Sequence, residues 1–305
     1  MDVQDNYWDL ILFGLTYEKG ELLKKAKGVV KVTHGNYPYK IFNICFLHDM
    51  LSQILEILWK GYVPLIKLAG REEGWCDWDT FFEQPFYDAD KDYLQALPMI
   101  QMEGRVKTLW RPIYTSHFVE HEYEMMCKLY RDWVVLNKKT LMYIQKEYVD
   151  LLQNRRVLGC VCRGTDFNFH PIGHPVQPKL SDVMTEVKDK MREIHCDYIY
   201  IATEEARIAK QFFDRFPNRV LVNKREYYDE KFYEQCNKKG KVCIEDVALE
   251  DSAQLYRYSI EYLSSLVLLA MCKGLIGGNC GASQGALFFA DHSYDYWKIF
   301  DLGCY

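Results

Sequence analysis

The chain has 305 residues, of which 49% are hydrophobic and 27% charged, with a formal net charge of -5. That length exceeds a typical single domain and points to two domains of roughly 150 residues, and the apolar share excludes disorder. An acidic balance excludes nucleic acid as the main partner, because no excess of basic residues offsets a phosphate backbone.

The N-terminus, M-D-V-Q-D-N-Y-W-D-L, carries no basic segment before an apolar core and does not read as a secretory signal. Residues 1 to about 36 are mixed. The apolar run Tyr39 to Phe46 reads as a strand, followed by helical spacing through Leu47, Leu51, Ile54, Leu55 and Leu58. Gly61 stops that helix and Tyr62 to Leu68 reads as a second strand, so the first half opens with a parallel βαβ unit. The aromatic stretch from Gly74 to Tyr87 suits either a core or rings that stack against a sugar. Asp88-Ala89-Asp90 spells the D-x-D that holds a divalent ion in many glycosyltransferases, yet it also reads as a solvated helix start.

Helical stripes run from His117 to Leu136 and from Lys138 to Leu152. The second delivers the chain to a new strand, which places a domain boundary at about residue 150 and divides the chain into 1-150 and 151-305. The eleven cysteines are scattered without a C-x-x-C pair, which excludes the common zinc-ribbon spacing and suits reduced thiols in a cytosol. The most apolar window, Leu263 to Ile276, is shorter than the roughly 18 to 20 residues of a membrane span, which leaves at most peripheral membrane contact.

The C-terminal half is organised around Val157 to Asp166, V-L-G-C-V-C-R-G-T-D, an apolar strand that ends in a guanidinium, a glycine, a hydroxyl and a carboxylate. Helix, strand, helix and strand follow over Leu180 to Ile194, Asp197 to Ala202, Glu204 to Phe216 and Arg219 to Val222. A long helix capped by Asp251, the strand G-L-I-G-G, a helix over Ala282 to Ala290 and a last segment over Tyr294 to Phe300 complete a doubly wound, Rossmann-like α/β pattern.

In such a sheet the strand ends share one edge. Arg163 there suits a pyrophosphate, with Asp166 near enough to orient it; the alternative is an Arg-Asp pair closing a turn. Thr203 can cap the next helix, while Glu204 and Glu205 can reach a ribose or base edge. The turn Gly277 to Gly285 offers backbone N–H groups at a helix mouth, an anion site that matches neither common phosphate-loop pattern. His170 and His174 cannot share a helix face because Pro171 and Pro175 break the helix, which weakens a metal reading and leaves a contact to phosphate, a base role or an ordinary loop histidine for each.

These residues resemble the fucosyltransferase superfamily that includes the α1,6- and protein O-fucosyltransferases. The chain is especially similar to bacterial members with C-R-G-T-D, G-H-P-V-Q-P, I-Y-x-A-T-E and L-I-G-G, over about residues 155 to 303, with a looser echo in F-F-E-Q-P. The resemblance implies two Rossmann-like domains in GT-B-like architecture and an inverting, metal-independent glycosyltransferase. It implies GDP-fucose, or a related nucleotide sugar, as co-substrate and no other cofactor. Carried over, it places Arg163 at the donor diphosphate with Asp166 beside it, Glu204 or Glu205 near the nucleoside, and Ser283 and Gln284 in the phosphate loop. The residues themselves add Gly164 and Gly281 to the donor set and His170 or His174 as the candidate base beside Arg163. Phe167 stands where the larger family has a basic residue. No counterpart of the α1,6 enzymes' catalytic glutamate occurs among Asn168 to Pro178, and F-N-I-C-F-L-H-D-M replaces an N-terminal glycine-rich segment.

The expectation is a cytoplasmic enzyme of polysaccharide biosynthesis whose N-terminal domain binds a glycan or lipid-linked glycan acceptor, with an acceptor hydroxyl attacking the anomeric carbon from the cleft between domains. The competing readings are a nucleotide-sugar-binding module without turnover, a transferase using a different nucleotide sugar, and a metal-dependent enzyme built on Asp88 and Asp90.

Overall fold

The computed structural model describes residues 7–34, 40–69, 75–100, 120–164, 173–229, 231–232, 234, 238 and 252–305. Two compact units divide the chain, one of residues 1–111 with 117–141, the other of 142–305 with 112–116.

The first unit runs α1 (Tyr7–Thr16), α2 (Lys19–Lys24), β1 (Val29–Val32), α3 (Ile44–Trp59), β2 (Val63–Ile66), α4 (Trp78–Phe81), α5 (Lys91–Ala96), β3 (Met99–Ile100) and α6 (Glu120–Trp133). The strands form a parallel sheet in the order β2-β1-β3. The expected βαβ unit is present, but its first strand is V-V-K-V at Val29–Val32; of the strand expected at Tyr39 to Phe46, Tyr39 lies outside the described residues, 40–43 are irregular and Ile44 to Phe46 are helical. Asn43 explains the difference: its side chain accepts the Phe46 N–H at 2.8 Å and caps α3, drawing Ile44 and Phe46 into the helix. Leu47, Met50, Leu51, Ile54, Leu55 and Leu58 follow, all buried.

Trp78, Phe81, Phe82 and Phe86 of the aromatic stretch lie in the core, with Trp78 and Phe82 rings 4.8 Å apart. Asp90 caps α5 by accepting the N–H groups of Asp92 and Tyr93, and Asp88 pairs with Lys19 at 3.5 Å.

The division falls within α7 (Lys138–Leu151). The second unit continues with β4 (Val157–Val161), α8 (Leu180–Glu193), β5 (Tyr198–Ala202), α9 (Ala206–Arg215), β6 (Val220–Leu221), α10 (Ser252–Ala270), β7 (Gly274–Gly278), α11 (Gly281–Ala290) and β8 (Tyr296–Phe300). All five strands are parallel, in the order β6-β5-β4-β7-β8. Every residue of β4 and β7 is buried, as expected of central strands covered on both faces.

On one face Leu158, Cys160, Ile199, Ile201 and Ile276 pack against Val183, Val187 and Met191 of α8 and Ile208 and Phe212 of α9. The other face carries α10, which comes so close that a Cβ on Gly159 would stand 3.1 Å from Leu269 Cδ2. The chain builds outward from β4 to β6, and α10 then carries it back to β7 beside β4. Strand order therefore reverses between β4 and β7, and open α/β sheets hold ligands in the crevice beyond the carboxyl ends at such a point.

Residues 303–305 pair antiparallel with the segment before α8. Val176 N–H donates to the Gly303 carbonyl at 2.8 Å and Tyr305 N–H to the His174 carbonyl at 3.1 Å. Among the described residues the cysteines are free, and no helix is long and apolar enough to cross a membrane. The Cys160 and Cys162 sulfurs lie 3.8 Å apart, and burial raises the Cys160 thiol pKa well above the ordinary thiol range.

Candidate functional site

A pocket of about 380 Å³ opens at the carboxyl edge of the second sheet. It is lined by Cys162 and Arg163 after β4, Gly278 at the end of β7, Gln177, Pro178 and Lys179 before α8, Arg207 and Gln211 of α9, and Tyr305. The volume lies within the range of small-molecule sites. Three cationic side chains, Arg163, Lys179 and Arg207, border it and favour an anionic ligand.

The wall beside β7 depends on a missing side chain. A Cβ on Gly278 would overlap Gln177 Oε1 and stand 2.9 Å from Pro178 Cδ. Glycine lets that segment close onto the strand end, where Gln177 Nε2 donates to the Asn279 carbonyl at 2.8 Å.

Arg163 is fixed from behind by Glu204, whose side chain is only 4% exposed. Arg163 Nη1 donates to Glu204 Oε2 at 3.0 Å, while Arg225 Nη2 and the Tyr258 hydroxyl donate to Oε1 at 3.2 and 3.0 Å. Burial opposes the charge of Arg225, but the Glu204 carboxylate beside it outweighs that and raises its pKa. Burial and the same carboxylate push the Tyr258 pKa well above the phenol range, so Tyr258 remains a neutral donor. Glu204 thus receives three charge-assisted or hydroxyl hydrogen bonds, which is how a carboxylate survives burial.

At the end of β7, Ser283 Oγ donates to the Gly278 carbonyl at 2.7 Å and Gln284 Nε2 to Asn279 Oδ1 at 3.0 Å, both residues being buried. Their side chains shape the turn. Cys280 occupies the N-cap of α11 and its side chain makes no cap hydrogen bond, which leaves the leading N–H groups and the positive dipole end without that partner. Gly281, the first helical residue, is half-buried.

Glu205, expected at the nucleoside, is the N-cap of α9 and accepts Arg207 Nε at 2.8 Å; a Cβ on Gly164 would overlap its carboxylate. Thr203 Oγ1 accepts the Glu205 N–H at 3.2 Å, three positions before the first helical residue, so it is not the cap of α9. His174 lies in the segment paired with Tyr305 and does not line the pocket, while Asp166, Phe167 and His170 fall outside the described residues. The structure therefore brings Arg163, Gly164, Glu204 and Glu205 together and sets Gly281, Ser283 and Gln284 at the adjoining strand end. Sequence reasoning did not single out Lys179, Arg207, Arg225 or Tyr258. Of these, Lys179 and Arg207 sit immediately before or at a helix start on the ligand edge, a position that could have flagged them.

No protein-family model and no curated protein matches the chain. Solved structures do share its fold. The NodZ α-1,6-fucosyltransferase soaked with GDP-fucose aligns at a TM-score of 0.50 with 13% identity, covering 87% of this chain and 93% of that one. A mutant of Arabidopsis thaliana FUT1 in complex with GDP aligns at 0.50 with 11% identity, covering 97% of this chain and 78% of that one. The chain thus has a two-unit α/β fold with parallel sheets of the GT-B type. Within that class, the fold is the one seen in fucosyltransferases.

Proposed function

We propose that the protein is a fucosyltransferase that takes GDP-fucose in the pocket beyond β4 and β7 and moves fucose to a glycan hydroxyl, with inversion and without a metal ion. The observation that carries this reading is Arg163 at the end of β4 lining one pocket with Gly278 at the end of β7, where the strand order reverses and the chain runs on into the uncapped start of α11. It gains support from a fold shared with proteins solved with GDP and GDP-fucose.

In the reaction the acceptor hydroxyl oxygen forms a bond to the anomeric carbon as the bond from that carbon to the diphosphate oxygen breaks, and the electron pair leaves with GDP. Arg163 and the α11 N–H groups offset the charge that grows on the departing diphosphate. The acceptor's proton goes to a base, for which His170 is the proposed candidate; His174, the alternative in the sequence, lies outside the pocket lining. The first unit is assigned the acceptor, a glycan or lipid-linked glycan of polysaccharide biosynthesis, and the setting is the cytoplasm.

A thermal-shift panel of nucleoside diphosphates and their sugars, followed by a donor-consumption assay, tests the proposal. Stabilisation by GDP and GDP-fucose above the uridine series, with GDP released in the presence of acceptor, is expected. Failure of any guanine nucleotide to bind would overturn it, and donor bound but never consumed would leave a nucleotide-sugar-binding module.

A further inference from the structure

Arg225 lies 6% exposed and outside the pocket lining, so it cannot touch a ligand there. Its guanidinium nevertheless shares one carboxylate with Arg163, because the two bind opposite oxygens of Glu204 at 3.2 and 3.0 Å. A lone Arg163–Glu204 pair would be neutral, and a diphosphate approaching Arg163 would also meet the carboxylate behind it. With a second guanidinium on the far oxygen, the three groups carry one net positive charge, and the exposed end of that charge is Arg163 at 20%. Tyr258 holds Glu204 Oε1 from a third direction and adds no charge. The carboxyls of Glu147 and Glu261 also interact with Arg225, and burial raises the pKa of both. Arg225 Nε makes no hydrogen bond, so the residue's polar role is concentrated on Glu204 and a long contact of 3.4 Å to Ser265 Oγ.

We infer that Arg225 is a positioning residue for the donor diphosphate: by sharing Glu204 with Arg163, it keeps Arg163 aimed and electrostatically available to an anion. This rests on the donor site proposed above and names a residue buried behind it.

The test compares GDP affinity in the full chain for Arg225→Met, Arg225→Lys and Tyr258→Phe across a salt series. Arg225→Met, similar in volume and uncharged, is expected to bind GDP about tenfold more weakly, with a shallower dependence of affinity on salt. Arg225→Lys restores the charge and is expected to return affinity to within about threefold of the parent. A merely structural role would lower the melting temperature of both variants without moving the salt slope. Parent-like GDP binding in Arg225→Met, an unchanged salt slope, or no rescue by lysine would each overturn the inference. If Arg225→Met has no cooperative melt, Tyr258→Phe decides: about threefold weaker GDP binding supports the brace, and unchanged binding refutes it. A parent chain that binds no GDP would instead remove the donor reading itself.

Discussion

Arg163 and Gly278 meet the same pocket by opposite means, one by reaching in and the other by having nothing to reach with. Arg163→Ala removes the guanidinium while Arg225 and Tyr258 still satisfy Glu204, so the chain is expected to fold and to lose GDP affinity about a hundredfold, read by calorimetric titration. Gly278→Ala forces Gln177 and Pro178 away from the strand end. Its expected cost is about 1–3 kcal/mol of stability in urea denaturation, with weaker donor binding alongside. Arg163 was legible because a charged fork directly after a buried strand marks the edge of a sheet where ligands sit. Arg225 and Tyr258 were not: one lies in an irregular segment after β6, and the other sits on an apolar helical stripe where a tyrosine counts as core. Their shared carboxylate is a tertiary contact that no local spacing encodes.

Periodicity read the second unit's elements well, since apolar strands buried on both faces alternate there with one-sided helices of clear stripe. It misread the start of α3 for the converse reason. That helix buries residues on nearly every side, His48, Asp49, Ser52 and Gln53 included, so its leading residues look like a continuous apolar strand. Asn43→Ala should therefore cost about 1 kcal/mol of stability by denaturant titration, because the cap and not a strand register sets where α3 begins. β1 escaped notice because four residues, three of them valine, give too short a run to stand out from a mixed N-terminus.

Between α7 and α10, burial holds the carboxyls of Glu147 and Glu261 above their ordinary 4.5. A carboxyl that binds its proton more tightly in the folded chain favours the fold at acidic pH and loses that contribution as pH rises through its raised value. Glu147→Gln is neutral throughout, so its melting temperature is expected to exceed the parent's by about 2 °C at pH 7 and to converge with it towards pH 4.5. A constant or reversed difference would contradict the assignment.

For the whole molecule, a saturating donor nucleotide should act as a stability reagent. At a hundredfold excess over its dissociation constant, GDP contributes about 2.7 kcal/mol, visible as a rise in melting temperature. Transfer is expected to survive a chelator, and Asp90→Asn to leave it intact at a small cost in stability, because Asp90 is occupied with capping α5. Loss of activity with EDTA that returns on adding a divalent ion would contradict that.

The reversal of strand order also sets a timetable. β4 is made early in its unit but cannot be closed in on its second side until β7 arrives, after β5, β6 and the long helix α10 have been synthesised. Non-local parallel pairing of this kind is slow to nucleate, and meanwhile a fully apolar strand edge stays open to other chains. Newly made protein should therefore be prone to aggregate until Gly278 is in place, and nucleotide supplied during refolding should raise the yield by trapping the finished pocket.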